Sequence, residues 1–454
     1  MLSRAPVLPL ALFLIVGILL LDLPAKRQNA VAWPNELVEV DAVVTSEPVV
    51  KEKIVTVDLL TLPGQHKLKA RFVRDSCSEH IALYDGLRFT SMIKKVHAWQ
   101  NGHFDYQRYM VCHGYTGEVF VGRYDWQWHP QSLKELSLLQ RTRLHFLLWR
   151  HQLLQYYRQW GIGDEAYGII AAMTLGEKSR LDVSQKEIFS RVGASHVLAL
   201  SGLHLMIIYT VISLFIGWRR FRTASQVITV LAIWAFAFLV GLSPSVVRAA
   251  LMITIYALLS LGHRERMSVN TLAFVAIIML LANPLALYDV GFQLSFMAVL
   301  SIVLFNPLLS GLIAADVQQR HRWLKAFWGM TTVSVSAQVG TAPLVAYYFE
   351  RLPTWFLLSN YVVIPLATLV LYLTLCCIAC CWWSGVLSLL VTALSFVVTT
   401  MSYLLSLIAK LPASSIEGIH LSTFGLCMLY IIIGSVYVLL RVFCRGRLQA
   451  QQRW

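Results

Sequence analysis

One serine and two histidines stand where a polar stretch runs into a long apolar one. In AAMTLGEKSRLDVSQKEIFSRVGASHVLALSGLHLMII (171–208), His196, Ser201 and His204 fall at that junction. His196 and His204 are eight residues apart, which on one continuous helix turns both to a similar side. Ser201 and His204 could then act as nucleophile and base of a membrane hydrolase working on lipid or peptide. They could equally be packing and interfacial polar groups, with Gly202 letting another backbone come close. Spacing alone leaves both readings open.

Further along, Arg248 follows Pro244 in SPSVVRAALMITIYALL. An arginine at the centre of a membrane helix costs at least about 2.5–3.5 kcal/mol, so such residues tend to mark a pathway or a partner. Arg248 is also about one turn from a loop, close enough to snorkel to the headgroups. Gln293 and Ser295 in DVGFQLSFMAVL, and Gln338 in SVSAQVGTAPL, are uncharged polar groups inside apolar runs. They belong on the interior of a helix bundle, where partners exist.

A second set lies nearer the N-terminus. Lys67, Lys69, Arg71 and Arg74 cluster on one strand-like run, and Arg88, Lys94 and Lys95 form another basic group. Trp99, Phe104, Tyr106 and Tyr109 interleave with His97, His103 and Arg108. Cations beside exposed rings suit sequence-tolerant binding of single strands, because charges follow phosphates and rings stack on bases. The plainer reading is a solvated strand face over a small aromatic core. Cys77 and Cys112 lie in the same region and could pair if it is extracytoplasmic. Cys376, Cys377, Cys380 and Cys381 have CxxC spacing but sit in an apolar run with no histidine or carboxylate nearby, so packing is the expectation and no metal is assigned. GxSxG, HExxH and GxxxxGK[ST] are all absent, so no ATPase is expected, and any movement through the protein needs an outside driving force.

These residues must be positioned by a membrane protein. The 454 residues are 57% hydrophobic and only 14% charged, with a mean hydropathy of +0.62, against about 25% charge in ordinary soluble domains. Apolar runs long enough to cross hydrocarbon as helices recur. Residues 5–23, preceded by Arg4, read as a signal anchor. Further spans are expected near 197–217, 225–241, 246–262, 269–283, 291–310, 328–349, 355–381, 386–409 and 421–441, with the 355–381 run kinked or re-entrant at Pro365. Between anchor and bundle, residues 24–130 alternate short β-like runs such as KIVTVDLLTL and KLKARFVR with turn residues. About five strands fit a small OB-like barrel. Residues 131–160 read as one amphipathic helix carrying Leu133, Leu136, Leu144 and Leu147, with Arg141, Arg143, Arg150 and Arg158 between them, and 164–194 as two shorter helices.

The domain plan is therefore an anchor (1–23), an extracytoplasmic OB-like β domain (24–130), amphipathic or interfacial helices (131–195), a multi-helix transmembrane domain (196–445) and a basic cytoplasmic tail (446–454). The fold class is a polytopic α-helical membrane protein with an N-terminal β-barrel domain. The net charge of +14 suits nucleic acid or anionic lipid, or only the basic cytoplasmic loops that insertion demands. Alternate loops are basic: Arg219, Arg220 and Arg222; Arg264 and Arg266; Arg320, Arg322 and Lys325; Arg441, Arg445, Arg447 and Arg453. The intervening loops LSPS and PLALYD have no lysine or arginine, and the later ones hold Arg351 and Lys410. That pattern puts 24–196 outside the cytoplasm and the C-terminus inside it, although the loop at 382–385 lacks the expected cation.

Four segments in order resemble the ComEC-type competence protein family. They are NGHFDYQRYM (101–110), TLGEKSRLD with FSRVGASHVLALSGLHL (174–205), GLSPSVVRAALM (241–252) and NPLALYDVGFQLSFMAVL (283–300). The matching positions are Ser201, Gly202, His204, Pro244, Arg248, Gly291, Gln293 and Ser295. The resemblance implies a channel that passes one DNA strand inward, with no catalytic residue and no cofactor assigned. It implies an extracytoplasmic DNA-binding protein and a cytoplasmic helicase-type ATPase as partners. Longer members often carry a metallo-β-lactamase-like domain whose His-x-His-x-Asp-His signature is absent here, so strand degradation would fall to a separate nuclease. Extra N-terminal helices of some members are also missing, so the start reads as shortened. A membrane-anchored DNA-binding module, in which only the β domain acts, is the remaining alternative.

Overall fold

The computed structural model describes residues 7–21, 31, 33–97, 100–101, 104–130, 136–216, 222–261, 269–313 and 315–451. Arg4, Leu133, Arg219, Arg220, Arg264, Arg266 and Arg453 lie outside the described residues.

After helix α1 (Val7–Leu21), the β region forms one sheet. Its strands are β1 (Val38–Val44), β2 (Ile54–Leu62), β3 (Lys67–Val73), β4 (Gly86–Ser91), β5 (Ile93–Lys94), β6 (Tyr115–Val121) and β7 (Trp126–Trp128), with Val49–Val50 paired on β2. The spatial order is β7-β4-β1-β2-β3-β6-β5. β3 and β6 run parallel and the other neighbours antiparallel. Only Met92 separates β4 from β5, so one stretch of chain pairs with β1 at its start and with β6 at its end. Alternation at a period of two sends Val55, Val57 and Leu59 of β2 and Leu68, Ala70 and Phe72 of β3 to one buried face, with Leu87, Phe89, Val119 and Val121. The polar residues between them point away, as strand geometry requires. Helix α2 (Tyr106–Cys112) lies between β5 and β6.

Helix α3 (Leu138–Gln159) begins at a capping box: Ser137 accepts from the Gln140 N–H, and the Gln140 side chain accepts from the Ser137 N–H. Its Leu144 packs on Val43, Leu60 and Leu62 of the sheet. Leu154 and Tyr157, nearer its other end, pack in a helical core. The same helix is therefore shared by the two parts of the protein.

The helical part comprises α4 (Asp164–Leu175), α5 (Val183–Arg191), α6 (Ser195–Leu198), α7 (Gly202–Ile216), α8 (Arg222–Leu239), α9 (Pro244–Leu261), α10 (Val269–Ala282), α11 (Val290–Ser310), α12 (Arg322–Phe349), α13 (Phe356–Ala379), α14 (Ser384–Ala409) and α15 (Thr423–Gln451). A 3₁₀ turn at Pro284–Tyr288 joins α10 to α11, and a two-stranded ladder pairs Arg351–Pro353 with Ser415–Glu417. Among the described residues, each stretch read as an apolar span is mainly helical. Four of these helices are long and apolar enough to cross a membrane: α11, α13, α14 and Thr423–Phe443 of α15; α1, α7, α8, α9 and α10 contribute shorter apolar helices.

Two expectations are corrected. Pro365 does not interrupt its segment, since α13 runs unbroken from Phe356 to Ala379. His196 and His204 do not share a helical face, because the chain leaves the helix at Ala199–Ser201 and resumes in α7. The first of the two short helices lies inside the protein: every residue of α4 from Ala166 to Leu175 is buried, largely against α13 and α14. Small residues allow this, and the helix stops at Gly176, whose φ of +74° suits glycine and turns its N–H onto the Ala172 carbonyl.

α11 and α12 approach closely at Gly340. A Cβ there would sit 2.5 Å from Ser301 Cβ and 2.7 Å from the Met297 carbonyl oxygen. Tyr430 of α15 donates to the Gly340 carbonyl at 2.9 Å, joining a third helix to the contact. Gly340→Ala should therefore cost about 1–3 kcal/mol through overpacking, measured as a lower thermal midpoint of the purified protein. Adding Ser301→Gly should recover part of the loss.

Candidate functional site

The β domain is held to the helices by α2. Asp105 caps that helix by accepting from the Arg108 N–H. Val111 and Cys112 at its end are buried with Leu285 of the 3₁₀ turn. The Arg108 guanidinium lies 4.8 Å over the Tyr288 ring, a cation–π contact, and the Tyr288 hydroxyl donates to the Ile18 carbonyl of α1. One residue beyond α2, His113 Nε2 is 3.4 Å from Asp289. Asp289 in turn caps α11 by accepting from the Phe292 N–H at 3.0 Å.

The residues singled out in the helices gather near this junction. Asn283 caps the 3₁₀ turn by accepting from the Leu285 N–H, with Pro284 at the first position. Gln293 donates to the Leu287 carbonyl at 2.9 Å and accepts from the Tyr348 hydroxyl at 2.9 Å, so it ties α11 to α12. Pro244 opens α9, and the next residue, Ser245, donates to the Leu200 carbonyl at 2.8 Å. Gly202 faces Ala249 across the same contact. Ser295 and Gln338 are half-buried and make no side-chain hydrogen bond among the described residues.

Ser201 and His204 do meet. The Ser201 backbone N–H donates to His204 Nδ1 at 3.2 Å, and Ser201 Oγ is 3.1 Å from the same atom. Nδ1 is thereby occupied as an acceptor, and Nε2 is buried without a hydrogen bond among the described residues. This geometry secures the start of α7; no acid orients the ring, as a nucleophile–base pair normally requires. His196 is exposed and bonds only to the Gly193 carbonyl.

Arg248 is 3% exposed and forms no hydrogen bond or ion pair among the described residues. It lines a cavity of about 440 Å³ between the two parts of the protein, together with Lys67, His113, Arg143, Asp289 and Phe292. Arg143 comes from α3, and its Nε is likewise buried without a partner among the described residues. Lys67 lies 3.8 Å from Asp58 and 3.9 Å over the Tyr115 ring. Asp58 also accepts from Lys69 at 2.8 Å and from the Tyr115 hydroxyl at 2.7 Å. Burial opposes ionisation of Asp58, yet Lys67 and Lys69 outweigh it and hold the carboxyl below its ordinary value. Burial pushes the Lys67 ammonium down to about 8, with Asp58 resisting and Arg143 adding to the fall. A larger apolar groove of about 630 Å³ lies between α3 and α8, lined by Phe146, Trp149, Tyr156 and Phe236. It has no charged lining residue.

The cations expected to meet a strand on the β surface divide. Arg71 pairs with Glu118, which also accepts from Tyr106, and Arg88 forks onto Asp41 at 2.8 and 2.9 Å. Their charges are compensated within the domain. Lys94 and Lys95 are exposed with no ion pair among the described residues. Phe104 packs on Tyr109 at 5.6 Å; Trp99 and His103 lie outside the described residues. Cys77 is a free, exposed thiol while Cys112 is buried under α2, so the expected pairing is not made. The sequence reading missed His113, Asp289 and the cavity role of Arg143. Asp289 had a usable signal, as the acid opening an apolar run three residues ahead of Phe292. His113 had none.

Comparison with known proteins follows the same segments. The profile of a family described as Competence protein matches residues 173–443. The chain is 28% identical over 277 residues to ComE operon protein 3 of Bacillus subtilis, covering 60% of this chain and 32% of that one. It is 27% identical over 238 residues to Competence protein ComA of Neisseria gonorrhoeae, covering 48% and 31%. An uncharacterized protein of Aquifex aeolicus is 30% identical over 217 residues, covering 46% and 47%. The chain thus spans about a third to a half of the length of the curated relatives it matches. No solved structure matches.

The Lys67 environment fixes a pH dependence. The unfolded chain keeps that proton to about 10.5, whereas the folded chain releases it near 8. Between those values the unfolded state binds more protons, so this group's contribution makes stability rise with pH there and go flat below about 8. The thermal midpoint of wild type minus that of Lys67→Met should accordingly increase from pH 8 to pH 10 and stay level from pH 6 to pH 7.

Proposed function

The chain belongs to the competence protein family, and from that premise we propose that it is the inner-membrane channel through which one strand of DNA is taken up in natural transformation. The observation that carries this reading is convergence. Residues from segments far apart in sequence, Arg108–Gly114, Pro244–Arg248 and Asn283–Phe292, meet where the β domain docks on the helices, and Leu200 is tied to Ser245 beside them. A domain that captures DNA would hand it over at such a place.

In this reading the β domain is an OB-like barrel. Pairing of the Gly86–Lys94 stretch with both β1 and β6, and the parallel β3–β6 pair, support it. The chain crosses the membrane many times, with 24–196 extracytoplasmic and the C-terminus cytoplasmic, as the alternation of basic loops suggests. An extracytoplasmic DNA-binding protein delivers the substrate, and a cytoplasmic helicase-type ATPase draws the strand in. A separate nuclease removes the complementary strand. The chain itself is a conduit and not an enzyme, with membrane lipid as its only other contact.

Deletion of the gene should abolish conversion of labelled transforming DNA to a nuclease-protected form, and the wild-type gene should restore it. Undiminished uptake in the deletion strain would reject the channel. Restoration by Ser201→Ala within a few-fold of wild type is expected, since the substitution removes a helix-start contact; complete loss with normal protein levels would instead favour the hydrolase.

A further inference from the structure

We propose that the cavity lined by Lys67, Arg143 and Arg248 is a binding site for a backbone phosphate of a nucleic-acid strand. This rests on the reading that the protein takes up DNA, and it names the chemistry by which the strand is held.

The argument begins with donors that lack acceptors. A guanidinium presents five N–H donors and is always charged. Arg248 is almost wholly buried and none of its donors is met by a described residue. Arg143, from a different element, has its Nε in the same position. A buried charge without a partner is strongly unfavourable, so such groups imply an acceptor that arrives with a ligand.

The acid nearby attracts Arg248 across space but gives it no hydrogen bond or ion pair among the described residues. Asp289 is the one acidic residue lining the cavity, and it is engaged by the Phe292 N–H and by His113. Asp58 lies behind Lys67 and is shared among Lys67, Lys69 and Tyr115. Three cations therefore face the cavity against one committed carboxylate. That surplus suits an anion with several oxygens around one centre, which guanidinium groups bind in a fork. At about 440 Å³ the cavity has room for a phosphodiester and its flanking sugars. Gly291 lies beside it: a Cβ there would sit 2.9 Å from Asp289 Oδ1 and in ordinary contact with Arg248 Nη2, at 3.6 Å.

The lining also says what is not read. Its aromatic residue, Phe292, is 4% exposed and packed against Ile18 and Leu280, so no ring is free to stack on a base. Contacts to phosphate alone position a strand without selecting its sequence. The donors come from the sheet, from α3 and from α9, so the site exists only while the β domain is docked.

The test uses the full chain in phosphatidylcholine nanodiscs with a fluorescein-labelled oligothymidylate, read by anisotropy. Arg248→Gln and Arg143→Gln should each weaken binding about tenfold or more and lower the slope of affinity against salt by about one contact. Arg248→Lys, which keeps the charge, should bind better than Arg248→Gln, and thermal midpoints will identify any variant that fails to fold. Pyrophosphate should compete with the oligomer in wild type. Equal affinity in wild type and Arg143→Gln/Arg248→Gln would overturn the site while leaving DNA uptake untouched. Arginine-dependent binding of pyrophosphate without any binding of the oligomer would overturn the assignment to nucleic acid. So would loss of oligomer binding in phosphatidylglycerol nanodiscs at a salt concentration where phosphatidylcholine nanodiscs retain it and surface charge is screened, which would mark a lipid headgroup as the occupant. Failure of the uptake reading itself is seen separately, as normal transformation in the deletion strain.

Discussion

Hydrocarbon offers no hydrogen-bond partner, so every polar group carried among apolar helices must bring its own or wait for one. Most of this chain's polar groups bring their own. Gln293 spends its amide on Leu287 and Tyr348. Asn283 and Asp289 satisfy the starts of the two elements that follow them, and Ser201 and His204 satisfy each other. Some buried atoms remain without a partner among the described residues, His204 Nε2 and Arg143 Nε among them, and so does the charged Arg248. The rest of the junction surrounds it: α2 closes one side, the start of α11 another, and α3 a third.

Much of the architecture was readable beforehand because its cause is local. Uninterrupted apolar length marks a helix in lipid, and strict alternation in KIVTVDLLTL and KLKARFVR marks a strand with one buried face. What escaped depends on contacts between distant residues. Arg88 reads as a free cation until Asp41 is seen across the strand pair. Lys67 and Arg143 lie 76 residues apart and meet only because α3 folds back over the sheet. Burial of α4 is masked by its acidic start, Asp164 and Glu165; from Ala166 on, the helix is small or apolar apart from Tyr167 and Thr174, whose hydroxyls bond to main-chain carbonyls. The break before Ser201 was missed because alanine and leucine at 199–200 carry no stop signal; the side-chain bond between Ser201 and His204 sets the new helix start instead.

The family profile begins at residue 173, after the β domain, yet the elements that dock that domain are distributed on both sides of this boundary. His113 and Arg108 lie before it, and Asp289 and Tyr288 lie within it. The helical part keeps residues whose partners are in the β domain, so the two are best regarded as one functional unit. The charge distribution agrees. Most cations of the β surface are neutralised by their own strands, with Lys94 and Lys95 left to solvent, and Lys67, Arg143 and Arg248 face the junction.

Helix α3 has 22 residues, a rod of about 33 Å at the α-helical rise. Leu144 fastens it to the sheet, and Leu154 and Tyr157 fasten it beside α4. His151 on Glu47 and Arg150 on Glu177 add a polar tie in each direction. A stiff beam pinned at both ends cannot tilt without levering whatever it is pinned to. Tilting α3 would therefore disturb the sheet at one end and the buried α4 at the other.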